Sequence, residues 1–299
     1  MCGIVGLHLR DPALYPHLGE LLTGMLAQMC DRGPDSAGMA VYGDPVWSPP
    51  GHATVSLLDN PLPVRELAEA LTRTTGVTIT GHDLAPTTVV HGPLDAEALV
   101  DAVRVATPQA RIIGFGADLT VLKGVGDPAA LARDFGLPAA QGWQGIGHTR
   151  MATESAVTAE GSHPFSVGAG QCLVHNGSFA NHMSIRHELA RHGTVFDSDN
   201  DTEVGARFVA RELAEGADLE KALLRLNDVF DGFYTLLVAT SDSFAVVRDP
   251  IACKPAVIAE TDHWVAMASE YRALADLPGV ADARIFEPEP EEVYLWRRQ

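Results

Sequence analysis

The sequence predicts an α+β fold built as stacked layers, on three observations. Apolar strands come in blocks. Amphipathic helices come as separate pairs rather than one between every two strands. A central stretch reads β-α-β-β-α-β between Pro- and Gly-punctuated connections. Regular strand–helix alternation would instead have signalled a doubly wound parallel sheet.

Taken in order, residues 3–9 (GIVGLHL) read as a strand. Leu18, Leu21, Leu22, Met25, Leu26 and Met29 then recur at helical spacing, until Gly33-Pro34 in "DRGPDSAG" stops the helix. "MAVYG" is a short strand. Between 45 and 117 the pattern gives strand 54–58, helix 64–75, strands 77–81 and 87–91, helix 95–106 and strand 111–115, the order of a ferredoxin-like motif. A strand at 118–123 and a helix at 128–136 lead back to the main body. "GIGHTRMAT" and "QCLVHNGSF" contain strands, and "SIRHELARHG" is a helix ending in glycine. A helix from Asp201 to Gly216 carries acidic residues in its first turn, where the helix dipole favours them. "LEKALLRLNDVF" is a further helix. "FYTLLVAT", "FAVVRD", "AVIAE" and "HWVAMAS" read as four strands of one antiparallel meander. The domain division expected is 2–44 with 118–299, interrupted by an inserted ferredoxin-like subdomain at 45–117.

The chain has 299 residues, 46% apolar and 20% charged, which suits a globular protein with a large core. Its 39 acidic and 21 basic residues give a net charge of −18, which repels phosphate backbones and argues against nucleic acid as a partner. No stretch approaches the roughly 18 unbroken apolar residues of a membrane span, and His8, Arg10 and Asp11 interrupt any leader-like run. The cytoplasm is the expected compartment. The cysteines are Cys2, Cys30, Cys172 and Cys253, with no C-x-x-C pair, so no metal site is expected.

Cys2 stands out by position. Loss of Met1 would place a thiol and a free α-amine on adjacent carbons of one residue. The amine, with a pKa of about 7.7–8.0, can act as base near neutral pH, while the thiolate attacks carbonyl carbon. The other reading is an incidental cysteine after the initiator. In "LVHNGSF", Asn176 and Gly177 could offer a side-chain NH₂ and a backbone N–H to a developing oxyanion; Asn-Gly is also a common hairpin turn. Arg150, ending an apolar strand, could fork onto a substrate carboxylate or form an ordinary ion pair. Asp201, in "DSDNDTEV", could hold an ammonium group or merely match the helix dipole. Nucleophile, oxyanion donors, carboxylate clamp and ammonium clamp together describe attack on the side-chain amide of an amino acid, which is glutamine.

The sequence resembles the class II glutamine amidotransferases, which are N-terminal-nucleophile hydrolases. The matching stretches are "CGIVG" (2–6), "RGPDSAG" (32–38), "GHTRMAT" (147–153), "HNG" (175–177) and "DTE" (201–203), in the family's order; "RDPIACKP" and "ASEYRAL" resemble its closing segments. Coverage is residues 2–44 and about 142–299. The resemblance implies a four-layer αββα sandwich. It implies Cys2 as the nucleophile, Asn176 and Gly177 as the oxyanion hole, Arg150 on the glutamine α-carboxylate, Asp201 on its α-amine and Arg32 supporting the nucleophile. A γ-glutamyl thioester would form, ammonia would leave, and water would release glutamate. Met151 stands where several members have Trp, and Glu154-Ser155 where some have His-Gly, which bears on the loop covering glutamine.

The pattern is most similar to stand-alone amidotransferase subunits of glutamate synthase or N-methylglutamate synthase type. No phosphate-cradling loop, flavin motif or iron–sulfur cysteine set follows, and "KGVGDP" (123–128) lacks the Walker spacing. This chain is therefore expected to hold no cofactor, with flavin or an iron–sulfur cluster on a separate ammonia-accepting synthase subunit. The alternatives are an N-terminal-nucleophile amidohydrolase of another amide, which would not need the Arg150–Asp201 pair, and a non-catalytic regulatory subunit of the same fold.

Overall fold

The computed structural model describes residues 2–151 and 156–298. The chain opens with β1 (Gly3–Leu9), α1 (Leu18–Ala27) and β2 (Ser36–Tyr42). It continues through β3 (Ala53–Leu58), α2 (Val64–Thr75), β4 (Thr80–Leu84), β5 (Thr87–Gly92), α3 (Ala96–Ala106) and β6 (Arg111–Ala117). Next come β7 (Leu119–Val125), α4 (Pro128–Asp134), β8 (Gln144–Arg150), β9 (Cys172–Phe179), α5 (His182–Arg191), α6 (Asp201–Ala214) and α7 (Leu219–Val229). It closes with β10 (Gly232–Ala239), β11 (Ser243–Arg248), β12 (Val257–Glu260), β13 (Trp264–Ala268), β14 (Arg284–Phe286) and β15 (Val293–Arg297).

Two antiparallel sheets form the body. One has seven strands in the order β14-β12-β13-β1-β8-β2-β7, the other four in the order β15-β11-β10-β9. Both bury both faces, so alternate residues of one strand feed different cores. In β1, Val5, Leu7 and Leu9 pack with Leu22 and Leu26 of α1 and Phe135 beyond α4. Ile4 instead joins Val174, Leu237 and Phe244 of the smaller sheet. The outer face of that sheet, through Leu173, Leu236 and Val247, packs on Leu189, Val204 and Leu226 of α5, α6 and α7. The result is four layers, helices–sheet–sheet–helices, within an α+β fold. Helix starts follow their sequences: Asp95, Asp127, Asn200 and Asp218 each accept backbone N–H bonds as N-caps of α3, α4, α6 and α7.

Residues between β2 and β7 make a third sheet, β4-β5-β3-β6, backed by α2 and α3 around Leu67, Leu71, Leu99 and Val103. That strand order is the ferredoxin-like one. This unit leans on the outermost strand of the seven-stranded sheet. Ser56 Oγ accepts the Val121 N–H at 3.0 Å and Thr87 Oγ1 the Lys123 N–H at 3.3 Å.

Two expectations are corrected. The strand placed at 77–81 lies at Thr80–Leu84 and is half-exposed throughout. Ile79, the apolar residue that drew the reading earlier, is tied to α2 by its N–H on Thr72 Oγ1. The last four long strands are not one meander: β10 and β11 pair in the smaller sheet, and β12 and β13 pair in the larger. The crossing is made at Asp249, fully buried, whose carboxylate accepts the N–H groups of Tyr234, Ile251 and Ala252. The helix expected at 128–136 is α4 followed by a 3₁₀ turn at Leu137–Ala139.

Candidate active site

Antiparallel pairing of β1 with β8 sets Gly3 against Thr149 and Ile4 against His148. The residue before β1 therefore meets the end of β8. The Met151 N–H points at Cys2 Sγ, 3.4 Å away. The Cys2 carbonyl accepts from both sides, from Arg32 Nε at 3.0 Å and from Asn176 Nδ2 at 3.1 Å. The Arg32 guanidinium is held by Glu270 at 2.5 Å, and Glu270 also takes Arg272 Nε at 2.8 Å. Arg32 reaches this position because its loop crosses the end of β8 at Gly33, where a Cβ would stand 2.4 Å from the Thr149 carbonyl carbon.

Asn176 lies on β9, opposite Thr235 of β10, and Gly177 opposite Tyr234. Residues of even number on β9 up to 176 face the inter-sheet core, as Cys172 and Val174 do. Asn176 thus projects from one sheet onto Cys2, carried by the other. Gly177 has φ +144°, and a Cβ there would come within 2.0 Å of the Phe233 carbonyl oxygen. The amide of Asn176 is oriented by three contacts: Nδ2 to the Cys2 carbonyl, Nδ2 to Ser269 Oγ at 3.3 Å, and Oδ1 to His148 Nε2 at 3.0 Å.

Asp201 opens α6, just inside the Asn200 cap. Its Oδ2 accepts the Phe179 N–H at 2.9 Å, joining α6 to the end of β9, and its side chain remains about one-fifth exposed. Arg150 is buried; its Nη1 donates to the Ala156 carbonyl at 3.2 Å. Arg150 and Asp201 belong to different layers, one ending β8 and the other beside β9. The rest of the acidic stretch is structural: Glu203 accepts the N–H groups of Asp197 and Ser198 and pairs with Arg207. Met1 and Glu154-Ser155, which bear on processing and on the covering loop, lie outside the described residues.

Three buried histidines, His148, His163 and His175, stand behind Asn176 and Asp201 and were not singled out from the sequence. His163 and His175 each bond Thr202 Oγ1 at 2.9 Å, and His163 lies against His148 with ring centroids 4.1 Å apart. Burial, with the neighbouring charges of His148 and others, pushes His163 well below its ordinary range. Burial outweighs Asp201 to bring His175 to about 4. Both are therefore neutral at pH 7. Ser269 and Glu270 were quoted within "ASEYRAL" without a role. For His148 a signal existed: in "GIGHTR" it shares a strand face with Ile146 and Arg150.

The Cys2 thiol is set apart from the others. Burial would raise it, but the hydrogen bond and charge of His148, with the Met151 N–H, bring it down to about 7. Burial and nearby carboxylates push Cys30 up, and burial pushes Cys172 to about 12. In a Cys253→Ser background, iodoacetamide should modify Cys2 first at pH 6.5, with a rate that rises with pH and half-saturates near 7. Peptide mapping that finds Cys30 modified first would contradict this ordering.

A sequence profile described as "Glutamine amidotransferase domain" matches residues 148–276, which span Arg150, Asn176, Gly177 and Asp201 but not Cys2. A "Glutamine amidotransferase-like protein GlxB" of Rhizobium meliloti is 48% identical over 305 residues, covering 100% of this chain and 99% of its own. The chain belongs to the class II glutamine amidotransferase family. Its enzymes work from an N-terminal cysteine; here Cys2 stands just ahead of β1. Two solved structures share the fold. One is described as the allosteric regulatory enzyme of purine biosynthesis, with a TM-score of 0.60 at 20% identity over 98% of this chain. The other is the glutamine phosphoribosylpyrophosphate amidotransferase of B. subtilis, with a TM-score of 0.59 at 20% identity over 99% of this chain. This amidotransferase spans about half the length of either: 46% and 49%. Among the described residues no helix is long and apolar enough to cross a membrane.

Proposed function

We propose that this amidotransferase hydrolyses glutamine through a thioester on Cys2 and passes the ammonia to a separate synthase subunit, of glutamate synthase or N-methylglutamate synthase type. The observation that carries the reading is the contact of Asn176 Nδ2 with the carbonyl of Cys2 at 3.1 Å, which puts an amide donor beside the nucleophile.

In this reading Cys2, freed of Met1, attacks the carboxamide carbon as thiolate. The carbonyl oxygen becomes an oxyanion received by Asn176 Nδ2 and the Gly177 N–H. The α-ammonium of Cys2 gives its proton to the leaving nitrogen, ammonia departs, and water, deprotonated by the same amine, releases glutamate. Arg150 takes the α-carboxylate and Asp201 the α-ammonium of glutamine, so only an α-amino acid fills both ends. Arg32 and Asn176 fix the backbone of the nucleophile, which keeps the sulfur in attack position. The amidotransferase domain is assigned to 2–44 and 118–299, with the ferredoxin-like unit at 45–117 as an insertion. Any flavin or iron–sulfur chemistry is placed on the separate acceptor subunit.

The test uses protein whose intact mass shows Met1 removed. Glutamine labelled with ¹⁵N in its amide should yield labelled ammonia and glutamate in equal amounts. A diazoketone analogue of glutamine should add once, at Cys2. Adduct formation at another residue, or hydrolysis of simple amides in preference to glutamine, overturns the reading.

A further inference from the structure

The fixed orientation of one amide has a cause that can be traced. Asn176 faces two acceptors with its nitrogen: the Cys2 carbonyl, and Ser269 Oγ, which also accepts the Ile4 N–H at 2.9 Å. A flipped amide would set Oδ1 against the Cys2 carbonyl oxygen, so the nitrogen belongs on the nucleophile's side. Oδ1 then faces His148 Nε2 at 3.0 Å, and because Oδ1 only accepts, Nε2 carries the hydrogen. His148 Nδ1 is buried with no hydrogen-bond partner among the described residues. The ring is held in place by His163, which lies against it and is anchored on Thr202.

We propose that His148 is a positioning residue of the glutamine reaction: its Nε2–H locks the Asn176 amide with the NH₂ toward the nucleophile. This rests on the function proposed above, in which Asn176 receives the oxyanion and Cys2 attacks. His148 orients the donor for the oxygen that gains charge. The titratable and charged groups around His148 are Cys2 ahead of β1, Arg150 two residues on along β8, His163 before β9, and His175 on β9 with Asp201 behind it. Lys123 on β7 acts on His163. His163 and His175 stay neutral at pH 7.

Two variants test this, in full-length protein. His148→Gln keeps an N–H near the Nε2 position; His148→Phe does not. kcat for glutamine hydrolysis should fall at least about 30-fold in His148→Phe and several-fold less in His148→Gln, with KM within about threefold of wild type in both. A merely space-filling histidine would leave the Gln and Phe variants equally active, and that result overturns the proposal. Should the variants fail to fold, ¹⁵N-histidine NMR of the wild-type protein decides. A neutral His148 should show the Nε2–H tautomer, and an Nδ1–H tautomer overturns it. The tautomer is read without glutamine, so absent glutaminase activity in the wild type would fault the proposed function and leave the readout on His148 standing.

Discussion

Cys2→Ala abolishes glutamine hydrolysis, with a loss of about four orders of magnitude or more in kcat, while the fold persists. The size follows from the chemistry. The Ser269 hydroxyl beside Asn176 is buried and engaged as acceptor by the Ile4 N–H and Asn176 Nδ2, so without the Cys2 thiolate the remaining donors can only polarise glutamine for attack by bulk water. The fold persists because the side chain contributes little packing: Cys2 is partly exposed, and its anchors, Arg32 and Asn176, bind its carbonyl rather than its sulfur. Alanine keeps that carbonyl. The expected result is an inactive protein whose melting temperature matches wild type and which no longer takes up the diazoketone analogue. Retained hydrolysis by Cys2→Ala would remove the nucleophile from the mechanism.

Gly177→Ala is the second large effect, and it strikes stability and activity together. The added methyl meets the Phe233 carbonyl oxygen at 2.0 Å and the Tyr234 Cα at 2.8 Å, both of them backbone atoms of β10 that cannot rotate away. The backbone at φ +144° also resists any L side chain. Strain and overpacking together cost about 2–4 kcal/mol. The mutation does not remove the Gly177 N–H; it moves it, by forcing β9 away from β10 beside the nucleophile. A displacement of about 1 Å at a donor is enough to lose about two orders of magnitude in rate. Denaturant titration and kcat on the same preparation check both. A Gly177→Ala protein with wild-type stability would mean that the strand pair tolerates the methyl.

Much of the site was legible because β-strands alternate. Cys2 shares a face with Ile4, Arg150 with Ile146, and Asn176 with Val174; those three apolar residues all enter the inter-sheet core. A reader of the sequence can therefore turn nucleophile, arginine and asparagine toward one interior from period two alone. The same arithmetic reaches His148, passed over because a histidine two residues before an arginine announces nothing until its partner is known. What alternation cannot supply is pairing across distance. Ser269 and Glu270 act on residues more than 230 positions away, and only the docking of β13 on β1 brings them there. The two hairpins β10–β11 and β12–β13 were merged for a related reason. Strands buried on both faces carry no polar side to tell one sheet from another. The misplaced β4 is the opposite case: an edge strand with no buried face gives no pattern to read.

The hydroxyls of Ser56 and Thr87 have a consequence for the border of the seven-stranded sheet. β7 is the last strand of its sheet, and its outward N–H groups at Val121 and Lys123 would otherwise offer a template for a foreign chain. The subdomain between β2 and β7 shields that border with side chains rather than extending the ladder. Excising residues 45–117 and closing the gap should therefore yield a protein that self-associates through β7. Light scattering should show concentration-dependent growth that a lysine or proline placed on the bared strand suppresses.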